Sequence, residues 1–227
     1  MTAAAVVTGA AGALGSAISA RLSAQGLAVL GVDLVPAGDD SVVADLTAPH
    51  GPDAVLDALR VRAWRPTVLV NNAGINRDAR AGAMTDEAFS AVVRVDLVAP
   101  ARLAHALRPL LPDGSAVVNI ASRAALGSFG QANYVAAKAG LVGLTRALAL
   151  RWAPHVRVNA VAPGLVDTPM TAAMPEQVLA KLVAKVPAGR MAQPDEIAGT
   201  VAYLVSPAAS YVTGQLLVVC GGRSVAA

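Results

Sequence analysis

Tyr134 and Lys138 stand four residues apart in the Ala-rich run 131–152, and on a helix that spacing projects both side chains from one face toward one ligand. A tyrosine hydroxyl ordinarily titrates near pH ~10, too high for efficient proton transfer at neutral pH. A neighbouring ammonium favours the ionised form, so the pair is suited to giving a proton to, or taking one from, an oxygen held above it. Such pairs are commonplace on solvated helices, and this one gains meaning only from the residues around it.

A second group lies near the start of the chain, where Thr8-Gly9-Ala10-Ala11-Gly12-Ala13-Leu14-Gly15 follows an apolar β-rich run and opens a helix-forming stretch. Glycines there let the backbone approach a pyrophosphate, and the helix N-terminus offers free N–H groups and a partial positive charge. A ligand-free tight turn would use the same glycines, so the next residue to consult is Asp33 at the end of the second β-rich run. A carboxylate at that place accepts hydrogen bonds from adenosine ribose hydroxyls and repels a 2′-phosphate. Positions 12, 16 and 34 are Gly12, Ser16 and Leu34, none of them basic. The pattern favours NAD(H) over NADP(H).

Positioning these groups requires alternating elements. Residues 4–8, 28–33, 41–44, 68–71, 116–120, 156–161 and 216–219 read as strands, and 12–25, 53–64, 85–111, 131–152 and 195–206 as helices, with a looser helix over 175–186. The alternation predicts an α/β, doubly wound (Rossmann) parallel sheet of about seven strands with helices on both faces. The near-continuous apolar character of the strands agrees with a sheet covered on both sides. Between Asp33 and Asp45 there is room only for a short loop or a single turn.

With 227 residues and no linker or repeat, residues 1–227 read as one domain, its core filled by small aliphatic side chains because only 3% of residues are aromatic. The 18 basic and 15 acidic residues, net +3, are scattered, which argues against a nucleic-acid partner. Every apolar run is interrupted well before the roughly 20 residues a membrane span needs. The first strand begins almost at Met1, leaving no room for a secretion signal, and a single cysteine, Cys220, cannot close an internal disulfide; both point to the cytoplasm. His50, His105 and His155 lack any ligand spacing, so no metal site is expected.

Taken in order, these segments resemble the short-chain dehydrogenase/reductase family over essentially the whole length. The glycine motif TGxxxGxG appears as residues 8–15, with Ala13 where the family has its middle glycine and Gly12 one position earlier. Asp45-Leu46 is similar to the family's adenine-contacting pair, Asn71-Asn72-Ala73-Gly74 to its NNAG motif, and residues 159–168 to the segment that closes over the nicotinamide. The resemblance implies cofactor contacts from Gly9, Gly12, Ala13, Leu14, Gly15, Asp33, Asp45, Leu46, Asn72, Ala73 and Gly74. It implies more from Pro163, Gly164, Val166, Thr168, Tyr134 and Lys138, the lysine holding the nicotinamide ribose.

The catalytic positions implied are Ser122, Tyr134, Lys138 and Asp96. Ser122 would orient a carbonyl oxygen while Tyr134 protonates it during reduction or deprotonates the alcohol during oxidation. Two departures stand out: Ser122 lies 12 positions before Tyr134, one fewer than usual in the family, with Ser128 a less favoured substitute, and Asp96 occupies a position where the family has Asn. Within the family, Gly74-Ile75-Asn76-Arg77-Asp78 and Gly130-Gln131-Ala132-Asn133-Tyr134 are similar to 3-oxoacyl (β-ketoacyl) thioester reductases, and the tail Val212-Thr213-Gly214-Gln215 to Val219-Cys220-Gly221-Gly222 resembles that of an NADH-using branch of them. That likeness implies an acyl-thioester substrate on acyl carrier protein or CoA and a homo-oligomer, tetramer or dimer. Another NAD-linked secondary-alcohol dehydrogenase, for hydroxysteroids, sugars or cyclic alcohols, remains an alternative, as does a catalytically weakened dinucleotide-binding protein.

Overall fold

The structure, a computed structural model, describes residues 1–226, apart from the side chain of Met170. Seven strands form one parallel sheet: β1 (Thr2–Thr8), β2 (Ala28–Asp33), β3 (Ser41–Val43), β4 (Trp64–Asn71), β5 (Ser115–Ile120), β6 (Val156–Pro163) and β7 (Leu216–Val219), in the spatial order β3-β2-β1-β4-β5-β6-β7. The order reverses between β1 and β4, and a crevice opens beyond the carboxyl ends of strands at such a point.

Alternate residues of the strands feed two cores. On one face Val6, Leu69, Val117 and Val158 meet Val55 and Leu59 of α2 (Gly51–Val61), Leu103 and Leu107 of α4 (Ala99–Leu107) and Trp152 of α5 (Ala132–Trp152). On the other, Val7, Val70, Val118 and Val161 meet Ile18 and Leu22 of α1 (Ala13–Ala24) and Ile197, Val201 and Leu204 of α8 (Pro194–Val205). Apolar burial on both faces is why the strands lack polar alternation.

Three element boundaries differ from expectation. The helix expected over 53–64 stops at Val61, and Trp64 begins β4, because Ala63 takes the left-handed conformation (φ 53°) and breaks the helix. The run 85–111 is not one α-helix: α3 (Asp86–Val93) passes into a π-helical turn, Arg94–Val98, before α4 resumes. Thr85 caps α3 by accepting the Ala88 N–H, and Pro100 near the start of α4 gives up an N–H that the turn has already freed. The loose helix over 175–186 contracts to α7 (Glu176–Val183), after a single-turn α6 (Pro169–Ala172). The connection from β2 to β3 is a short loop, as its length required.

A polar thread crosses the sheet where its core is otherwise apolar. The Asn71 amide donates to Asn119 (2.8 Å), the Asn119 amide to the Thr145 hydroxyl (2.8 Å), and that hydroxyl to the Leu141 carbonyl (2.8 Å). It joins β4 and β5 to α5, the helix that carries Tyr134 and Lys138.

Candidate active site

The crevice at the β1/β4 reversal is a cleft of about 630 Å³. Its first wall is the turn from β1 into α1. Gly9 lies in the left-handed region (φ +66°), and a Cβ there would meet the Ala73 Cα at 2.9 Å. At Gly15 a Cβ would sit 2.0 Å from the Gly9 carbonyl oxygen, so the helix can lie on the turn only with glycine here. Gly12 is the N-cap, with φ −75° and no side-chain cap, which leaves the first-turn N–H groups of Ala13, Leu14 and Gly15 without a side-chain acceptor. All of these residues line the cleft. The uncapped helix end and tight glycine approach fit a pyrophosphate, and Ala13 in the middle-glycine position begins the helix without disturbing the turn.

Beside this wall Asp33 accepts the N–H groups of Ala11 (2.9 Å) and Leu34 (2.7 Å), which locks the carboxylate at the mouth of the turn. Asp45 takes both the N–H and the hydroxyl of Thr47 (2.9 and 2.7 Å), and these bonds hold its carboxyl below the usual carboxylate range. Leu46 lines the cleft with them. Two acids therefore stand at this end, and the sole Lys or Arg among the described lining residues is Lys138 at the other.

Asn72, Ala73 and Gly74 form the floor. The Thr8 hydroxyl accepts the N–H groups of Asn72 (2.9 Å) and Ala73 (3.0 Å), and the Asn72 amide returns to the Thr8 carbonyl (2.9 Å), stitching β1 to the loop after β4. Pro163 ends β6 and Gly164 follows it, where a Cβ would meet the Cys220 Cα at 2.7 Å. Val166 bridges to Ala192, and Thr168 caps α6. These four also line the cleft.

Tyr134 and Lys138 enter from α5, with the lysine Nζ 5.5 Å from the tyrosine ring centre. Ser122 lines the same space, its hydroxyl accepting the Ala124 N–H at 3.1 Å. The shortened 123–129 loop is taken up by a 3₁₀ turn, Arg123–Leu126, and by Gly127 at φ 116°. Ser128 is not among the lining residues.

Asp96, grouped with the catalytic positions from sequence, does not line the cleft. It lies fully buried in the π turn, with Oδ2 3.1 Å from Lys138 Nζ and Oδ1 accepting the Ile75 N–H at 2.9 Å. Burial pushes its carboxyl up, while the lysine and the Ile75 N–H act in the opposite sense. Lys138 also donates to the Ile120 carbonyl at 2.9 Å. Asp96 therefore meets the cleft only through its contact with Lys138.

Sequence reasoning assigned no role to Asn133, although it stood in the quoted motif beside Tyr134. It is completely buried; its amide donates to the carbonyls of Arg77 (2.8 Å) and Ala88 (3.3 Å), and its Oδ1 accepts the Tyr134 N–H (2.8 Å). It pins the first turn of α5 to the 74–80 segment, which Gln131 and Asp78 also join (3.0 Å). An Asn just inside a helix start, where no solvent-facing cap is needed, was the available signal. Asn133→Ala is expected to lower stability by about 1–3 kcal/mol, the cost of stranding buried polar groups, and to reduce kcat more than cofactor affinity. Denaturant melts with steady-state kinetics check this; wild-type values in both would remove Asn133 from the positioning of Tyr134.

Comparisons with known proteins bear on the family and the fold. The family described as enoyl-(acyl carrier protein) reductase matches residues 9–224. The chain is 38% identical to the 3-oxoacyl-[acyl-carrier-protein] reductase FabG of Vibrio cholerae, covering 96% of each chain. It is 40% identical to the cis-4-hydroxycyclohexanecarboxylate dehydrogenase of Sinomonas cyclohexanicum, covering 96% of this chain and 95% of that one. Among solved structures, the ligand-free aldohexose dehydrogenase of Thermoplasma acidophilum superposes with a TM-score of 0.93 at 30% identity, over 100% of this chain and 95% of that one. A glucose/ribitol dehydrogenase of Brucella melitensis, itself called a short-chain dehydrogenase/reductase, gives 0.93 at 31%, over 98% and 96%. With its glycine turn, its reversal-point cleft and its Tyr134–Lys138 pair, the chain belongs to the short-chain dehydrogenase/reductase family of oxidoreductases.

Proposed function

We propose that the protein is an NAD(H)-dependent oxidoreductase that interconverts a ketone and a secondary alcohol, with 3-oxoacyl thioesters of acyl carrier protein or CoA as its leading substrate class. The observation that carries this reading is a single cleft with Asp33 and an uncapped glycine turn at one end and Ser122, Tyr134 and Lys138 at the other. A bound nicotinamide dinucleotide would supply or accept hydride at that second end. Gly12 to Gly15 would hold its pyrophosphate, Asp33 its adenosine ribose and Lys138 the other ribose. Ser122 would donate to the substrate oxygen, and Tyr134 would give that oxygen a proton in reduction or take it in oxidation.

NAD(H) is preferred in this reading because Asp33, the carboxylate expected to meet the adenosine ribose and repel a 2′-phosphate, lines this end of the cleft with Asp45, and no lining cation stands beside them. The acyl-thioester preference rests on the 38% identity to the Vibrio cholerae reductase. A second reading, a dehydrogenase of cyclic or sugar alcohols, is favoured by the 40% identity to the hydroxycyclohexanecarboxylate enzyme. We further propose a homo-oligomer of the cytoplasm; Cys220 is buried and free, in keeping with a reducing compartment, and no described helix is long and apolar enough to cross a membrane.

The test is a steady-state screen of NADH and NADPH against 3-oxoacyl thioesters, cyclic ketones and ketoses. We expect NADH to be favoured in kcat/KM, and Asp33→Ala to narrow the preference. Equal or better use of NADPH overturns the cofactor assignment, turnover confined to cyclic or sugar substrates selects the second reading, and tight NADH binding without any turnover leaves a dinucleotide-binding protein.

A further inference from the structure

Where the family resemblance implies an amide in the long helix, this chain puts a carboxylate, and the structure pairs it with the site's lysine. We propose that Asp96 is a positioning residue that offsets the charge of Lys138, weakening the lysine's pull on the Tyr134 hydroxyl and biasing the site toward ketone reduction. The proposal rests on the oxidoreductase reading above and extends it to the direction of proton transfer.

The pair is sealed. Side-chain exposure is 4% for Lys138 and 0% for Asp96, and a Cβ on Gly74 would press within 2.8 Å of the carboxylate. In such surroundings charges act on one another far more strongly than in water. The two carboxylate oxygens are divided between the Ile75 N–H and the ammonium. The ammonium has three N–H donors. One serves the Ile120 carbonyl, while the ammonium pairs with Asp96 Oδ2 at 3.1 Å on the wall of the cleft that Lys138 lines.

An unpaired ammonium 5.5 Å from the tyrosine ring would favour the phenolate; an ammonium already facing a carboxylate presents a dipole, whose pull falls off faster with distance. A phenol must hold its proton to donate it. Among the other charges on the surrounding elements, Arg123 opens the 3₁₀ turn packed on α5 and is half-buried, and Arg157 on β6 donates to the carbonyls of Leu204 and Ser206. Asp86 and Glu87 on α3, Arg94 on the π turn, His105 on α4, Arg146 and Arg151 on α5 and Arg77, Asp78 and Arg80 on the facing loop are all solvent-exposed. Arg102 on α4 is directed at the carbonyls of Thr47 and Pro49. Lys138 is the charged group in contact with Asp96.

An amide at position 96 could accept the Ile75 N–H only by turning its NH₂ toward the ammonium, so Asp96→Asn removes the offset and keeps the shape. Expected is an alkaline fall-off in the rate of ketone reduction that begins about one pH unit lower in Asp96→Asn than in the wild type, with the oxidation rate rising correspondingly earlier. A readout that needs neither cofactor nor turnover is the absorbance titration of tyrosinate. The chain has three tyrosines, so subtracting Tyr134→Phe isolates Tyr134, on the wild-type background and on Asp96→Asn; the same downward displacement is expected. Should Asp96→Asn fail to fold, Asp96→Ser carries the same comparison. Loss of activity at all pH values with no displacement, or a displacement upward, overturns the proposal. If the wild type reduces no ketone at all, the oxidoreductase reading fails and the tyrosinate titration alone decides the role of Asp96.

Discussion

Tyr134→Phe should lose turnover by about 10²–10⁴-fold, the contribution of a positioned proton donor, while binding NADH almost as the wild type does. The change deletes one hydroxyl and leaves the ring, so the packing of α5 and its pinning through Asn133 are retained. The dinucleotide contacts proposed for the glycine turn and Asp33 lie at the far end of the cleft. An interaction made in the transition state and not in ground-state binding is read as a fall in kcat and kcat/KM together. Fluorescence titration with NADH and single-turnover kinetics separate the two effects. A variant keeping more than about a tenth of wild-type kcat would falsify the assignment of the proton donor to Tyr134.

Lys138→Met should damage the fold as well as the chemistry. Removing the ammonium strands the Asp96 carboxylate at 0% exposure, and breaking a buried pair from one side costs about 3–5 kcal/mol. Burial already raises the carboxyl of Asp96, and without the lysine nothing but the Ile75 N–H opposes that rise. The sign follows: the variant can relieve itself by protonating Asp96, so its deficit should be largest at mildly alkaline pH and shrink as pH falls toward the carboxylate range. The double variant Lys138→Met/Asp96→Asn should recover much of the loss in stability and none of the turnover. Urea unfolding at several pH values measures this, and a pH-independent loss below about 1 kcal/mol would mean that no stranded charge is present.

Most of the architecture was legible because it follows from patterns that repeat. Apolar runs of strand length separated by Ala- and Leu-rich stretches imply a parallel sheet, and a glycine turn after the first strand locates the reversal point. Each cofactor position expected from sequence lines the cleft. What was not legible depended on local backbone geometry. The pattern of 85–111 is helical throughout, and no residue type announces the extra residue that makes Arg94–Val98 a π turn. Trp64 looked like the end of a helix because nothing in its chemistry reveals that Ala63 turns left-handed. The resemblance put Asp96 in the neighbourhood of Lys138, 42 positions away in sequence, but the direct 3.1 Å pair between them follows from the placement of that turn on α5.

The thread from Asn71 through Asn119 to Thr145 has an evolutionary consequence. Its members are 2%, 0% and 1% exposed, so losing any one leaves the next without its partner, whereas apolar replacement of all three together can be close to neutral. Single substitutions along it should therefore be deleterious in ways their sum does not predict, and related sequences should change these positions jointly or not at all. Because Asn71 lines the cleft and Thr145 lies two helical turns beyond Lys138, that epistasis ties drift in the interior of α5 to the floor of the site.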